Sequence, residues 1–217
     1  MHDHHDHADA GGGTAMSEVE ARVRALETVL TEKGHLDPAA LDALIDHFQT
    51  QVGPRNGAQV VARAWTDPAF ADRLRQDATA AIGELGFLGQ QGEHMVAVWN
   101  DASTHHLVVC TLCSCYPWPV LGLPPAWYKS FAYRSRAVRE PRRVIAECGH
   151  DVPAGKQIRV WDSTAEIRYL VIPERPDGTD GWPAERLAAL VTRDAMIGTG
   201  VALPPDPAPQ SPAEDAA

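Results

Sequence analysis

Hydrophobic positions in the first part of the chain recur with the period of a helix. Val19, Val23, Leu26, Val29 and Leu30 form one apolar stripe that runs to about Lys33, where Gly34 supplies a stop. Ser17 and Glu20 fit a capping box at its start, the hydroxyl taking an orphan amide and the carboxylate reaching back. Asp37-Pro38 opens a second helix, with Leu41, Leu44, Ile45 and Phe48 on one face. The stretch GPRNG (53–57) breaks it. A third helical stretch holds Val60, Val61 and Trp65, and Asp67-Pro68 caps a fourth that turns Phe70, Leu74 and Ile82 inward.

After ELGFLGQQGEH (84–94) the period changes from helical to alternating. MVAVWN (95–100) and HLVVC (106–110) read as strands, and QIRVWD (157–162) with IRYLVIP (167–173) as another pair. Residues 125–139 and 184–191 read as helices. Helices followed by mixed strands predict an α+β fold, an N-terminal helical arm leading into a layered α-β-β-α globular domain. The expected organisation is a disordered His/Asp/Gly-rich tail over 1–16, a helical arm over 17–85, a metal-binding catalytic domain over 86–200 and a disordered Pro/Ala-rich tail over 201–217. The helices of the arm make a poor core by themselves. Their stripes suit packing on the body of this chain, and equally suit embracing another subunit.

The chain has 217 residues, 44% of them apolar, enough for one compact domain with appendages. It carries no apolar run long enough to span a bilayer and no secretory pattern at its start, so a cytoplasmic protein that binds no membrane is expected. A net charge of −10 argues against nucleic acid, which is bound by neutralising phosphates. Arg134, Arg136, Arg139, Arg142 and Arg143 form a local basic stretch, read as a salt-bridged helix or a subunit contact. His2, His4, His5 and His7 read as part of the tail, with metal chelation as the alternative.

Three of the four cysteines, Cys110, Cys113 and Cys115, lie within VVCTLCSCYPWP (108–119). That crowding does not suit a disulfide framework and points to metal or redox chemistry. Structural zinc would need a fourth ligand, for which Cys148, His105, His106 and His150 are candidates, none at a recognisable spacing. Cys148 otherwise reads as a small buried apolar group, and His105 and His106 as ordinary strand residues. The Cys-Ser-Cys half suggests something else. Sulfurs on alternate residues face one metal only if the backbone between them is also close, which brings in the amide nitrogens of Ser114 and Cys115. A strongly Lewis-acidic trivalent ion displaces their protons. Two amide nitrogens and three sulfurs then leave a sixth position open, as a catalytic site requires. Such donors favour Co(III) or Fe(III) over Zn(II).

VCTLCSCYPWPVLGLPPAWYKS (109–130) resembles the metal-binding segment of the nitrile hydratase α subunit. ELGFLGQQGE (84–93), YRSRAVREPR (133–142) and RVWDSTAEIRYLVIPERPDGT (159–179) resemble further parts of it, so the likeness covers about residues 17–195. The resemblance implies a Cys110 thiolate, a Cys113 sulfinate and a Cys115 sulfenate, with the Ser114 and Cys115 amides completing the ligand set. Thr111, after the first cysteine, implies one non-corrin Co(III) per chain rather than Fe(III). It also implies that Cys115, Gln91 and Trp118 line the active site, with Asp162 and Glu166 near it. The implied reaction is hydration of a nitrile to its amide, the metal acting as Lewis acid and the Cys115 sulfenate, or a water it activates, as nucleophile. A β subunit would supply arginines to the oxidised sulfurs, in a heterodimer or heterotetramer, so the chain alone would be inactive. An activator protein would load the cobalt. Alternatives are the γ subunit of a thiocyanate hydrolase, a zinc-stabilised interaction module and a metal-free thiol switch.

Overall fold

The computed structural model describes residues 18–50, 52–89 and 94–205. Ser17, Gln91, the His-rich N-terminus and the C-terminus beyond residue 205 lie outside the described residues. The chain divides into two compact units, one ending at Asp46 and one beginning at His47. No helix of the described residues is long and apolar enough to cross a membrane.

The first unit contains α1 (Glu18–Glu32) and most of α2 (Pro38–Thr50). Gly34 takes a φ of 68°, and the amides of His35 and Leu36 fold back onto the Leu30 carbonyl at 2.9 and 3.2 Å. This closes the end of α1, as an αL cap does. Asp37 accepts from the Ala39 amide at 3.0 Å and starts α2. Val23, Leu26 and Val29 on α1 and Leu44 and Ile45 on α2 are exposed.

The second unit begins with α3 (Pro54–Thr66), α4 (Pro68–Gln76) and α5 (Ala78–Gly83). The expected break at GPRNG is shorter than the motif. Gly53 is the cap and Pro54 already occupies the first turn, where its missing N–H costs nothing. Asp67 caps α4 by accepting from the Phe70 amide at 3.0 Å, as the sequence predicts. The predicted fourth helix ends early, because Asp77 caps a new one by accepting from the Ala80 amide at 2.9 Å. Val60, Val61, Phe70, Leu74 and Ile82 are buried in the main apolar core of this unit. These helices, grouped with the arm on sequence, are part of the globular core.

The strands are β1 (Met95–Trp99), β2 (Thr104–Val109), β3 (Gln157–Asp162) and β4 (Arg168–Ile172). Neither pair adjacent in sequence forms a hairpin. β1 pairs in parallel with β4, from Met95↔Arg168 to Trp99↔Ile172, and β2 with β3, from Thr104↔Gln157 to Val109↔Asp162. Alternation along each strand builds the layers. Met95, Leu107, Val109, Leu170 and Ile172 enter the main core with the helices. Val98, Val108 and Val171 face the other way and pack with Val96, Trp161 and Tyr169 into a smaller cluster that joins the two sheets. The result is the α-β-β-α layering expected from the sequence.

Between β2 and β3 lie α6 (Trp118–Leu121), α7 (Ala126–Lys129), α8 (Phe131–Ala137) and α9 (Pro141–Glu147). The helix predicted over 125–139 is two helices, because Ser130 caps α8 by accepting from the Tyr133 amide at 3.1 Å. The last helices of the described residues are α10 (Ala184–Ala188) and α11 (Arg193–Ile197).

α11 ends at Gly198, whose φ of 92° is left-handed and whose missing Cβ would sit 1.9 Å from the His106 carbonyl oxygen. Its own carbonyl lies 2.8 Å from Nε2 of buried His105. Replacing Gly198 by Ala is expected to destabilise the protein by more than about 1 kcal/mol, through both strain and overlap. Gly155→Ala, where a Cβ meets nothing within 4 Å, should leave the melting temperature nearly unchanged in the same calorimetric comparison.

Candidate metal centre

In the parallel β2–β3 pair, Val109 stands opposite Asp162 at the carboxyl ends of both strands. Cys110 is the first residue beyond that edge. The Ser163 amide donates to the Val109 carbonyl at 2.7 Å, which continues the pairing by one bond. The chain must then turn, and its polar backbone groups need partners other than a strand. Asp162 supplies them. Its carboxylate accepts from the Thr111 amide at 2.9 Å and from the Thr111 hydroxyl at 2.6 Å.

The turn gathers the three sulfurs. Cys110 Sγ and Cys113 Sγ are 3.6 Å apart, Cys113 Sγ and Cys115 Sγ 3.3 Å, and all three lie within 4.8 Å of one another. Cys110 and Cys115 are buried, while Cys113 is exposed. The Cys113 amide donates to Cys110 Sγ at 3.3 Å. The backbone between the first two sulfurs is therefore folded against the Cys110 sulfur. The backbone amides of Ser114 and Cys115 help to lower the Cys113 thiol.

The Cys113 and Cys115 thiols are shifted in opposite directions. The Cys115 thiol is pushed up to about 12, by burial first and then by its hydrogen bonds to Cys113 and Cys110; the positive charge of Arg168 acts in the opposite direction. The Cys113 thiol is lowered, chiefly by its hydrogen bond with Cys115 and further by the two backbone amides and Cys110. A cation is what lets such a cluster lose its protons together, since a coordinated thiol is a thiolate.

Two buried tyrosines fix the ends of the turn. Tyr133 donates to the Val108 carbonyl at 2.6 Å and Tyr128 to the Cys115 carbonyl at 3.0 Å. Tyr116 and Tyr128 meet edge to face at 5.0 Å. Burial raises all three phenols well above their ordinary range, so they stay neutral; Tyr128 and Tyr133 donate, and the Tyr116 hydroxyl is buried with no partner among the described residues. On the open side Arg134 Nη1 donates to the carbonyls of Leu112 at 3.0 Å and Thr111 at 3.4 Å. Sequence reasoning assigned none of these three anchors. The aromatic density of YPWPVLGLPPAWYKSFAY (116–133) was the available signal for the tyrosines. The arginine had none, because its target lies 22 residues away.

The other sequence candidates sort as follows. Ser114 lies inside the turn, and Asp162 is bonded to it. Trp118 opens α6, half-buried against the main core. Glu166 is exposed in the β3–β4 turn, where its amide bonds to Thr164 Oγ1 at 3.2 Å, and it is not among the described side chains bonded to the cysteine turn. Among the described residues the metal-capable group consists of the three cysteines alone, with no fourth side-chain ligand to close a zinc tetrahedron. His105 is occupied with Gly198 and lies 3.5 Å from Asn100 Nδ2; His106 accepts from Trp161 Nε1 at 2.8 Å. Cys148, expected to be buried, is exposed, because it caps the end of α9. The arginine stretch divides by function. Arg136 and Arg143 pair with Glu140 and Glu147, and Arg142 binds the carbonyls of Val152, Pro153 and Lys156.

The sequence matches the family "Nitrile hydratase, alpha chain" over residues 17–200. It is 56% identical over 190 residues to the high-molecular-weight cobalt-containing nitrile hydratase subunit alpha of Rhodococcus rhodochrous, covering 87% of this chain and 94% of that one. It is 41% identical over 200 residues to the thiocyanate hydrolase subunit gamma of Thiobacillus thioparus, covering 87% of this chain and 82% of that one. Among solved structures, a double mutant of the Fe-type nitrile hydratase from Comamonas testosteroni Ni1 superposes with a TM-score of 0.82 at 38% identity, over 90% of this chain and 97% of that chain. Fold, cysteine turn and sequence agree, and the chain belongs to the nitrile hydratase α-chain family.

Proposed function

We propose that this chain is the α subunit of a nitrile hydratase that holds one low-spin, non-corrin Co(III) in the Cys110–Cys115 turn and hydrates nitriles to amides. The observation that carries the reading is the gathering of three sulfurs within 4.8 Å, with the Cys113 amide donating to the Cys110 sulfur. The donor set fits the ion: soft thiolates and amide nitrogens stabilise a trivalent metal, and a side-chain set of three sulfurs leaves coordination positions open. Cobalt is favoured over iron by Thr111 and by the higher identity to a cobalt-containing relative than to the Fe-type structure.

When bound, the cobalt supplies Lewis acidity at one open position, which makes a nitrile carbon electrophilic. Cys110 stays a thiolate, as the family resemblance implies. Exposed Cys113 becomes a sulfinate and Cys115 a sulfenate, successive rungs of thiol oxidation. The Cys115 sulfenate oxygen would either activate a water for attack on the nitrile carbon or attack it directly and be restored by a water, and in both cases one water is added in net to give the amide. Trp118, three residues beyond Cys115, lines the substrate's approach, a role the family resemblance gives to Gln91 as well. Asp162 anchors the turn, and Glu166 lies on the surface shared with the partner. Oxidised sulfurs add negative charge that needs cationic neighbours. Arg168, nearly fully buried and acting on Cys115, supplies part of it, and arginines of a β subunit supply the rest. The exposed apolar stripes of α1 and α2 support an arm that embraces that subunit.

Metal analysis and intact mass on the complex with its β subunit test the reading. About one cobalt per chain is expected, with two oxygens added at Cys113 and one at Cys115. Zinc with three unmodified thiols would overturn it. An assay with nitrile and thiocyanate side by side should show amide formation, and thiocyanate turnover alone would point instead to the thiocyanate hydrolase class. Asp162→Ala removes both bonds to Thr111 and is expected to weaken cobalt retention by ~10-fold or more with the fold intact. Asp162→Asn keeps one acceptor and should fall between, as read by cobalt content after dialysis against a chelator.

A further inference from the structure

The guanidinium of Arg134 differs from its neighbours in what it touches. Nη1 reaches the Leu112 and Thr111 carbonyls, while the adjacent arginines serve ion pairs and the loop before β3. The Leu112 carbonyl shares a peptide unit with the Cys113 amide, and that amide donates to Cys110 Sγ at 3.3 Å. A cation, one peptide group and a sulfur therefore stand in series. A positive charge on the carbonyl side draws electron density out of the peptide and makes its N–H a stronger donor, since hydrogen bonds in a chain polarise one another. Cys110 is fully buried, so water does not compete for its sulfur.

A second feature accompanies the first. The Nε of Arg134 is buried with no acceptor among the described residues. An unpaired buried donor lowers stability, which offsets part of what the two Nη1 bonds contribute to the fold.

We propose that Arg134 is a positioning residue of the metal centre: it holds the Thr111 and Leu112 carbonyls and relays its charge through the Leu112–Cys113 peptide onto the Cys110 sulfur. The inference rests on the cobalt reading above. Hydrogen bonds to a ligand sulfur reduce the charge it donates, and so tune both the strength and the colour of the metal–sulfur bond.

The test uses the complete complex with its β subunit. Arg134→Met removes charge and donor. Arg134→Lys keeps the charge, and because one nitrogen makes both bonds, an ammonium can reproduce them. The sulfur-to-cobalt absorption band and the rate of cobalt loss to a chelator are read together with the melting temperature. The expected result is a shifted band and ~10-fold faster loss in Arg134→Met, both returning toward wild type in Arg134→Lys. A wild-type band and loss rate in Arg134→Met would overturn the inference, as would an equal shift in both variants. Should Arg134→Met fail to assemble, Arg134→Gln, a neutral donor, carries the same comparison: a shifted band supports the relay and an unshifted band overturns it. Wild-type complex that holds no cobalt would instead overturn the cobalt reading, and this inference with it.

Discussion

The parallel pairing of β2 with β3 is the constraint on which the site depends. Parallel strands cannot be joined by a tight turn, so the chain must leave one carboxyl edge and return to the opposite end of the sheet through a long crossover. The cysteine turn is the first segment of that crossover. The register Val109↔Asp162 sets a carboxylate beside the point where the ladder runs out of partners. A slip of one residue would turn that carboxylate to the other face, leaving the Thr111 amide and hydroxyl without their acceptor.

Three crowded thiols do not hold such a turn together. As thiolates they repel, and as thiols they make only weak hydrogen bonds. The turn is held instead by its backbone, from the strand edge by Asp162, from the aromatic block by Tyr128 and Tyr133, and from α8 by Arg134. Each bond reaches a main-chain group rather than a sulfur, apart from the Asp162 contact to the Thr111 hydroxyl. The sulfurs stay available to a metal while their geometry is set before it arrives, which is what a preorganised site needs.

The same segment shows why a basic stretch is a poor guide on its own. Arg134, Arg136, Arg142 and Arg143 are close in sequence, yet they answer to different partners: carbonyls of the cysteine turn, two glutamates, and carbonyls ahead of β3. Leu112, at the tip of the turn, is 83% exposed even though its carbonyl is gripped. The backbone there belongs to the site, and the side chain is left for whatever covers it.

What the sequence determined by itself is what short-range physics controls. Apolar periodicity marked the N-terminal helices and the alternating faces of all four strands, because each pattern repeats within one element, while the short helices α6, α9 and α11 left no readable period. Asp37 and Asp67 were legible as caps, since a cap bonds two or three residues onward. The sulfur trio was legible for the same reason, its spacing being local and its chemistry unusual. Tertiary structure alone decided which strands pair, because two parallel ladders and two hairpins draw on the same alternating stretches. It also decided which carboxylate, phenols and guanidinium hold the turn. Those bonds span 51, 13, 25 and 22 residues, and nothing in the local pattern of either end specifies the other. They form because burying the two sheet faces brings the strand ends together, and the unpaired backbone of the turn then takes the polar groups that packing has set within reach.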